Sequence, residues 1–174
     1  MKKVLINDDN LDIDDLDYEI TRVKGIVINS KNEVLIAFNN NTYQFLGGHV
    51  ENDEDMKAAL LREIKEEAGI RVDGVDGPFM EIITYTKNYF NTGRNVCSKI
   101  FYYKVDCDSQ PNLDETDYDE LEKQSEFGLF YVHIDDFEHF LHNCLDNGTI
   151  DMNIGREMLL VLEEYNNLFG GVLL

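Results

Sequence analysis

The chain of 174 residues is poor in basic residues, and this shortage excludes several classes of partner. Its 15 lysines and arginines stand against 35 acidic residues, a formal net charge of -20 at pH 7. A field of that sign repels nucleic-acid backbones and anionic membrane surfaces, so we expect neither as a partner. Because it also repels free phosphates, an enzyme of this composition that acts on phosphate compounds would need metal ions to mask the charge.

Cysteine and long apolar runs are also scarce. The chain has three cysteines, Cys97, Cys107 and Cys144, and no two of them form a CxxC motif. Their odd number favours a reduced, cytoplasmic protein. No apolar run approaches the roughly 20 residues of a membrane span, and the run at residues 4–6 is too short for a signal peptide. The length and the 43% of hydrophobic residues suit one domain, which we place at residues 21–174 after an acidic lead-in at 1–20.

Two segments concentrate the acidic residues. Residues 8–19 (DDNLDIDDLDYE) match several positions of a calcium loop with Asp8, Asn10, Asp12 and Glu19. Ile13 occupies the position where such a loop needs glycine for its sharp turn, so the pattern favours a solvated acidic segment instead. Residues 106–126 form the second segment, which we interpret as a loop with a helical turn near 119–124, and its role is open.

The remaining sequence alternates between strand and helix patterns. Turn residues at 29–32 and β-branched residues on both sides predict a hairpin, and a loop is expected at 39–44. Gly69 is expected to end the first helix. This order predicts an α/β (α+β) fold with a mixed sheet between helical layers. We predict strands at residues 22–28, 33–38, 80–86, 99–105 and 127–134, and helices from Asn52 or Asp53 to 68, from Asp135 or Asp136 to 144, and at 154–169.

The first predicted helix carries an unusual group of like charges. Glu63, Glu66 and Glu67 are spaced i, i+3, i+4, so they share one helical face, apart from the apolar stripe that contains Leu60 and Ile64. Like charges at this spacing cost about 0.2–0.5 kcal/mol per pair. The face is therefore either a solvated acidic surface or a site of hard oxygen ligands suited to Mg²⁺ or Mn²⁺.

The spacing around these glutamates decides between the two readings. Gly48 is followed by five residues, Glu54, seven residues and then the segment REIKEEAGI at 62–70. This matches the pattern G-x5-E-x7-R-E-U-x-E-E-x-G-U, with U a bulky aliphatic residue, and a chance match is on the order of 10⁻⁷. The pattern is the Nudix box, and the chain resembles a Nudix hydrolase. The resemblance implies an α/β/α sandwich.

The resemblance also implies a reaction and a metal site. Nudix hydrolases cleave a nucleoside diphosphate linked to a moiety X, with water, into a nucleotide and X-phosphate. It implies that Glu63, Glu66 and Glu67 bind Mg²⁺, with Mn²⁺ able to substitute, that one of them is the general base, and that Arg62 orients them. The carbonyl of Gly47 is a further candidate ligand. A later acid often completes the metal site in the family, and Glu126 is the candidate here.

Substrate choice is expected to depend on residues outside the box. The candidates are cationic and aromatic side chains near the expected cleft, each of which also has a plain structural interpretation as surface charge or packing: Arg22, Lys24, His49, Tyr85 and Arg94. Nucleoside triphosphates, dinucleoside polyphosphates and nucleotide sugars all remain open as substrates, as does a homodimeric state. The alternative function is a non-catalytic Nudix-fold sensor of nucleotides.

Overall fold

A seven-stranded mixed β-sheet runs through the part of the protein that the structure describes, residues 1–117 and 127–170 of a computed structural model. The strand order is β1-β5-β6-β2-β3-β4, and β7 pairs with β3. The β1–β5 and β2–β6 pairs are parallel, and the other pairs are antiparallel. The elements are β1 (Lys2–Ile6), β2 (Tyr18–Ile28), β3 (Glu33–Asn39), β4 (Thr42–Phe45), α1 (Met56–Ala68), β5 (Met80–Thr86), β6 (Val96–Asp106), β7 (Gly128–His133), α2 (Ile134–Asn147) and α3 (Met152–Phe169).

Helices cover both faces of the sheet, and each face has its own buried core. On one face α1 packs Leu60 and Ile64 against β2, β3 and β6, where Val23 and Leu35 are fully buried. On the other face α2 and α3 pack residues such as Phe137 onto the same strands. The predicted mixed sheet between helical layers is therefore confirmed.

The start of α1 differs from the sequence prediction, whereas its end agrees. Asp55 caps the helix, because its side chain accepts hydrogen bonds from the backbone N–H groups of Lys57 and Ala58. The predicted cap at Asn52 or Asp53 is wrong: Asp53 adopts a left-handed φ of 63° in the turn before the helix. Gly69 ends the helix at φ 64°, as predicted, a conformation that glycine adopts at little cost.

The structure differs from the sequence prediction at two other places. The predicted loop at 39–44 is wrong, because Asn40 and Asn41 turn the chain at φ 50° and 58° and β4 pairs back onto β3. Asparagine tolerates this left-handed conformation, so a tight hairpin replaces the expected loop. The predicted cap of α2 at Asp135 or Asp136 is also wrong, since the side chain of His133 accepts from the backbone N–H of Asp135.

The acidic segments are anchored to the fold. Residues 2–6 form β1, which was not predicted, and Asp8 pairs with Arg156 on α3 at 2.6 Å. In the second segment, the backbone N–H groups of Asn112 and Asp117 donate to the carbonyls of Ala68 and Glu66 at the end of α1. The predicted helical turn at 119–124 lies outside the described residues. Of the helices in the described part of the chain, none is long and apolar enough to cross a membrane.

Candidate active site

Arg62 is the centre of a hydrogen-bonded network on α1. Its Nε and Nη2 atoms each donate to a different oxygen of Glu54 at 3.0 Å, which forms a bidentate pair. Its Nη1 donates to Glu63 and to Glu66, both at 2.9 Å, and Nη2 also donates to the carbonyl of His49 at 3.0 Å. One guanidinium thus fixes three carboxylates of the box relative to the loop that precedes the helix.

Glu67 is joined to the glycine loop instead. Its side chain is buried, with the residue only 4% exposed, and its Oε2 accepts from the backbone N–H of Gly47 at 2.8 Å. Gly47 adopts φ 134°, and a Cβ there would lie 2.1 Å from the carbonyl oxygen of Val23. Only glycine therefore brings this backbone so close to β2 while presenting its N–H to Glu67.

The second glycine of the loop, Gly48, packs directly against the carboxylate of Glu63. A Cβ on Gly48 would lie 2.5 Å from both carboxylate oxygens of Glu63, so the loop backbone passes directly against that carboxylate. The carbonyl of Gly48 accepts from the N–H of Val23, which ties the loop to β2. The pair of glycines thus brings two glutamates of α1 against one stretch of backbone.

The charges in this network stabilise one another. The hydrogen bonds from Arg62 hold the pKa of the Glu54 carboxyl below its usual range. The same bonds, first to Glu54 and then to Glu63, raise the pKa of the Arg62 guanidinium. Like-charged carboxylates that would repel on a bare helix are therefore partly neutralised by the cation between them.

Two of the predicted substrate residues meet beside this network. Arg22 on β2 and His49 form an isolated antiparallel bridge, and Nε of Arg22 donates to Nε2 of His49 at 3.2 Å. Nη2 of Arg22 donates to the hydroxyl of Tyr89 at 2.6 Å. Partial burial of the His49 ring, together with the Arg22 charge, lowers the pKa of His49.

The other three predicted substrate residues lie in different surroundings. Lys24 is buried and pairs with Glu157 of α3 at 3.1 Å, on the sheet face opposite to α1. Tyr85 is half-buried on β5, where it pairs in register with Cys97. Arg94 is exposed in the connection between β5 and β6, and its guanidinium lies 4.4 Å from the ring centre of Tyr18.

An open cleft lies next to the loop that leads into α1. Its volume is about 660 Å³, and its wall includes His49, Asp53 and Met56. The strands contribute Lys99 and Glu19, which form an ion pair at 2.6 Å. The cleft provides room for a molecule beside the carbonyl of His49, which Arg62 holds in place.

The donor set suits a divalent cation. Glu63, Glu66 and Glu67 offer carboxylate oxygens, which are the ligands that Mg²⁺ and similar hard ions prefer. Within residues 1–117 and 127–170, no group of three or more histidine, cysteine, aspartate or glutamate side chains is arranged to hold a metal ion. Mg²⁺ keeps several waters and bridges to phosphate, so it needs fewer protein ligands than that. Glu126, the predicted additional ligand, lies outside the described residues.

Comparison with known proteins identifies the family. A model of the NUDIX domain matches residues 20–150, which is most of the chain. The chain belongs to the Nudix hydrolase family. It is accordingly a hydrolase that acts on acid anhydrides in phosphorus-containing compounds, and Nudix hydrolases generally use divalent metals. No curated protein matches this sequence.

Solved structures agree with this Nudix fold. A MutT protein from Methanosarcina mazei is 18% identical with a TM-score of 0.55, and the match covers 85% of this chain and 95% of that one. An Ap4A hydrolase from C. elegans is 16% identical with a TM-score of 0.54, covering 87% and 98%. A MutT protein from Bacillus halodurans is 18% identical with a TM-score of 0.51, covering 69% and 72%. At identities this low, the similarity to these structures shows the fold alone.

Sequence reasoning missed two contacts of this Nudix site. The first is the bidentate pair between Glu54 and Arg62, which are both fixed positions of the box. Glu54 precedes the cap of α1, so its separation from Arg62 is not a helical spacing and gave no local signal. The second is the bond from Arg22 to Tyr89, 67 residues away, which no local pattern could indicate.

Proposed function

We propose that this Nudix hydrolase is a Mg²⁺-dependent pyrophosphohydrolase, with Mn²⁺ able to substitute. Its substrate is a nucleoside diphosphate linked to another moiety: a nucleoside triphosphate, a dinucleoside polyphosphate or a nucleotide sugar. The observation that carries the proposal is the network in which Arg62 holds Glu63 and Glu66, while Gly47 holds Glu67. A purely solvated acidic face would have no need of a shared cation or of two close-packed glycines.

Different residues of the chain would bind the metal ion and orient its ligands. Glu63, Glu66 and Glu67 would hold the metal ion, with the carbonyl of Gly47 as a further candidate and Glu126 as a candidate from the later acidic segment. When bound, the ion polarises a phosphoryl oxygen and offsets the negative charge of both the protein and the substrate. Arg62 keeps the carboxylates oriented, a role for which a planar guanidinium with five N–H donors is well suited.

The hydrolytic step needs one proton acceptor. The oxygen of a water molecule bonds to a phosphorus atom of the diphosphate, and the bridging P–O bond breaks, so that its oxygen leaves with the other phosphoryl group. A glutamate of the set accepts the proton of the attacking water. Each of Glu63, Glu66 and Glu67 is a candidate for this role, and Arg22 and His49 are the candidates for contact with the phosphates.

The proposal is tested by hydrolysis of a substrate panel with Mg²⁺ in ¹⁸O-labelled water, followed by mass spectrometry. The panel contains nucleoside triphosphates and their oxidised forms, ADP-ribose, nucleotide sugars and dinucleoside polyphosphates. We expect one preferred class, with a single ¹⁸O incorporated at the attacked phosphorus and no turnover in EDTA. Binding of nucleotides without turnover would instead favour the sensor function, and turnover unaffected by EDTA would contradict the metal assignment.

A further inference from the structure

The guanidinium of Arg22 is held at two of its nitrogens and open at the third. Its Nε donates to Nε2 of His49 at 3.2 Å, and its Nη2 donates to the hydroxyl of Tyr89 at 2.6 Å. In the described part of the chain, Nη1 has no acceptor. Two fixed contacts give the planar group one direction, and the N–H groups of Nη1 remain able to donate to a phosphate oxygen.

Both partners of Arg22 are uncharged, although the chain is rich in acidic residues. The tyrosine hydroxyl is neutral, and the histidine nitrogen that accepts this bond carries no proton. In contrast, the guanidinium groups of Arg62, Arg71 and Arg156 each pair with a carboxylate. Neutral acceptors orient a guanidinium without cancelling its charge, so Arg22 keeps its full attraction for an anion.

The loop of residues 87–95, which joins β5 to β6, fixes the backbone of Tyr89. The N–H of Tyr89 donates to the carbonyl of Arg94 at 2.7 Å, and its carbonyl accepts from the hydroxyl of Thr92 at 2.7 Å. The side chain of Asn88 accepts from the N–H of Gly93 at 2.7 Å. Asn88 and Gly93 have φ 48° and 77°, values that asparagine and glycine tolerate, so the loop closes tightly.

The acidic lead-in holds both ends of this loop. The carboxylate of Asp9 accepts from the backbone N–H of Lys87 at 3.0 Å, and the carboxylate of Asp17 accepts from the N–H of Asn95 at 2.6 Å. The backbone N–H of Asp17 donates in return to the carbonyl of Asn95 at 2.9 Å. The side-chain amide of Asn95 also donates to the carbonyl of Asp15 at 2.9 Å. The lead-in therefore ties the start of the loop to its end.

We infer that Tyr89 is a positioning residue, which the acidic lead-in holds in place so that Arg22 presents Nη1 to the phosphates of the substrate. The inference rests on the proposed function, in which Arg22 and His49 are the candidates for contact with the phosphates. His49 lines the open cleft beside α1, and its carbonyl accepts from Arg62 at 3.0 Å. Arg22 is thereby joined to the network that orients the glutamates, and the lead-in gains a part in substrate binding.

Tyr89→Phe removes the hydroxyl and keeps the ring. Two constants are measured for each full-length variant: KM for the preferred substrate, and Kd for methylenediphosphonate with Mg²⁺ by calorimetry. Loss of one hydrogen bond to a charged group should raise both constants about 3- to 10-fold, with kcat changed less than about twofold. Tyr43→Phe is the matched control, since the ring of Tyr43 packs 4.7 Å from that of Phe38, and it should keep wild-type values.

A pair of variants with the same change of charge tests the lead-in. Asp17→Ala removes the carboxylate that holds Asn95, whereas Asp14→Ala removes an exposed carboxylate from the same segment. Because each substitution removes one negative charge, an effect of long-range charge alone would be equal in both. We expect Asp17→Ala to raise KM and Kd as Tyr89→Phe does, and Asp14→Ala to change neither. Equal constants in the two variants would overturn the part assigned to the lead-in.

Arg22→Met shows whether Tyr89 acts through Arg22. If it does, adding Tyr89→Phe to Arg22→Met should change neither constant further, because the group that Tyr89 positions is already gone. Additive effects, which a general loosening of the fold would produce, would overturn the inference, as would wild-type constants in Tyr89→Phe. With the wild type active, either result leaves the proposed function intact. Coupled losses of methylenediphosphonate binding without hydrolysis by the wild type would support the positioning role and overturn the proposed function. Neither binding nor hydrolysis would overturn both.

Discussion

Arg62→Lys tests what the guanidinium of Arg62 contributes to catalysis, because the substitution keeps the positive charge but removes the planar set of five N–H donors. Arg62 makes five hydrogen bonds to its neighbours, and a lysine ammonium has three N–H donors, so at least two bonds are lost. Each charge-assisted bond is worth about 1.5–3 kcal/mol, and water replaces part of this because the side chain is 26% exposed. We expect kcat/KM to fall about 10- to 100-fold, or about 1.4–2.7 kcal/mol.

The assay is steady-state hydrolysis of the preferred substrate over a series of Mg²⁺ concentrations. Arg71→Lys is the matched control, since the Arg71 side chain is 75% exposed and lies 3.4 Å from Glu115, away from the network. We expect the control to keep wild-type kinetics, and Arg62→Lys to need more Mg²⁺ for half-maximal rate. Wild-type kcat/KM in Arg62→Lys would refute the view that Arg62 positions the glutamates.

Three further predictions test the glycine loop, the metal and the buried ion pair. Gly48→Ala should lower kcat/KM about 10- to 100-fold, because its Cβ must displace the carboxylate of Glu63. Gly74→Ala, where a Cβ would point into open space, should keep wild-type kcat/KM in the same steady-state assay. Mg²⁺ at about 100 times its Kd should stabilise the fold by about 2.7 kcal/mol, seen as a Tm about 5–10 °C higher than in EDTA, and equal melting curves would count against a metal site. Lys24→Met or Glu157→Leu alone should each cost about 3–5 kcal/mol in urea unfolding, because each leaves a buried charge without its ion-pair partner, and the double variant should cost less than either. The hydroxyl of Tyr102 also donates to Glu157 and keeps this bond in Lys24→Met.

Features set by local chemistry could be predicted from the sequence. Strand β5 has the predicted bounds, Met80–Thr86, and α1 ends at Gly69, because alternating side chains and a left-handed glycine act over a few residues. The Nudix box also lies within one loop and one helix, so its spacing predicted the family that the domain match confirms.

Features that depend on distant partners could not be predicted. The five residues of β1 form a strand because they pair in parallel with β5, almost 80 positions later. Lys24 was predicted as a substrate-binding candidate near the cleft, but its ammonium is buried against Glu157, a partner 133 residues away. The hairpin turn at Asn40 was missed for a different reason, since a run of asparagines is equally typical of a loop and of a left-handed turn.

The most direct test of the central claim is the rate of Mg²⁺-dependent hydrolysis by Glu67→Gln, compared with Glu163→Gln as a control on the exposed side of α3. The amide of glutamine can still accept the hydrogen bond from Gly47, so folding should survive while the carboxylate charge is lost. The account predicts that turnover of the preferred substrate falls by orders of magnitude in Glu67→Gln and stays at the wild-type level in Glu163→Gln. Wild-type turnover in a folded Glu67→Gln variant would contradict it.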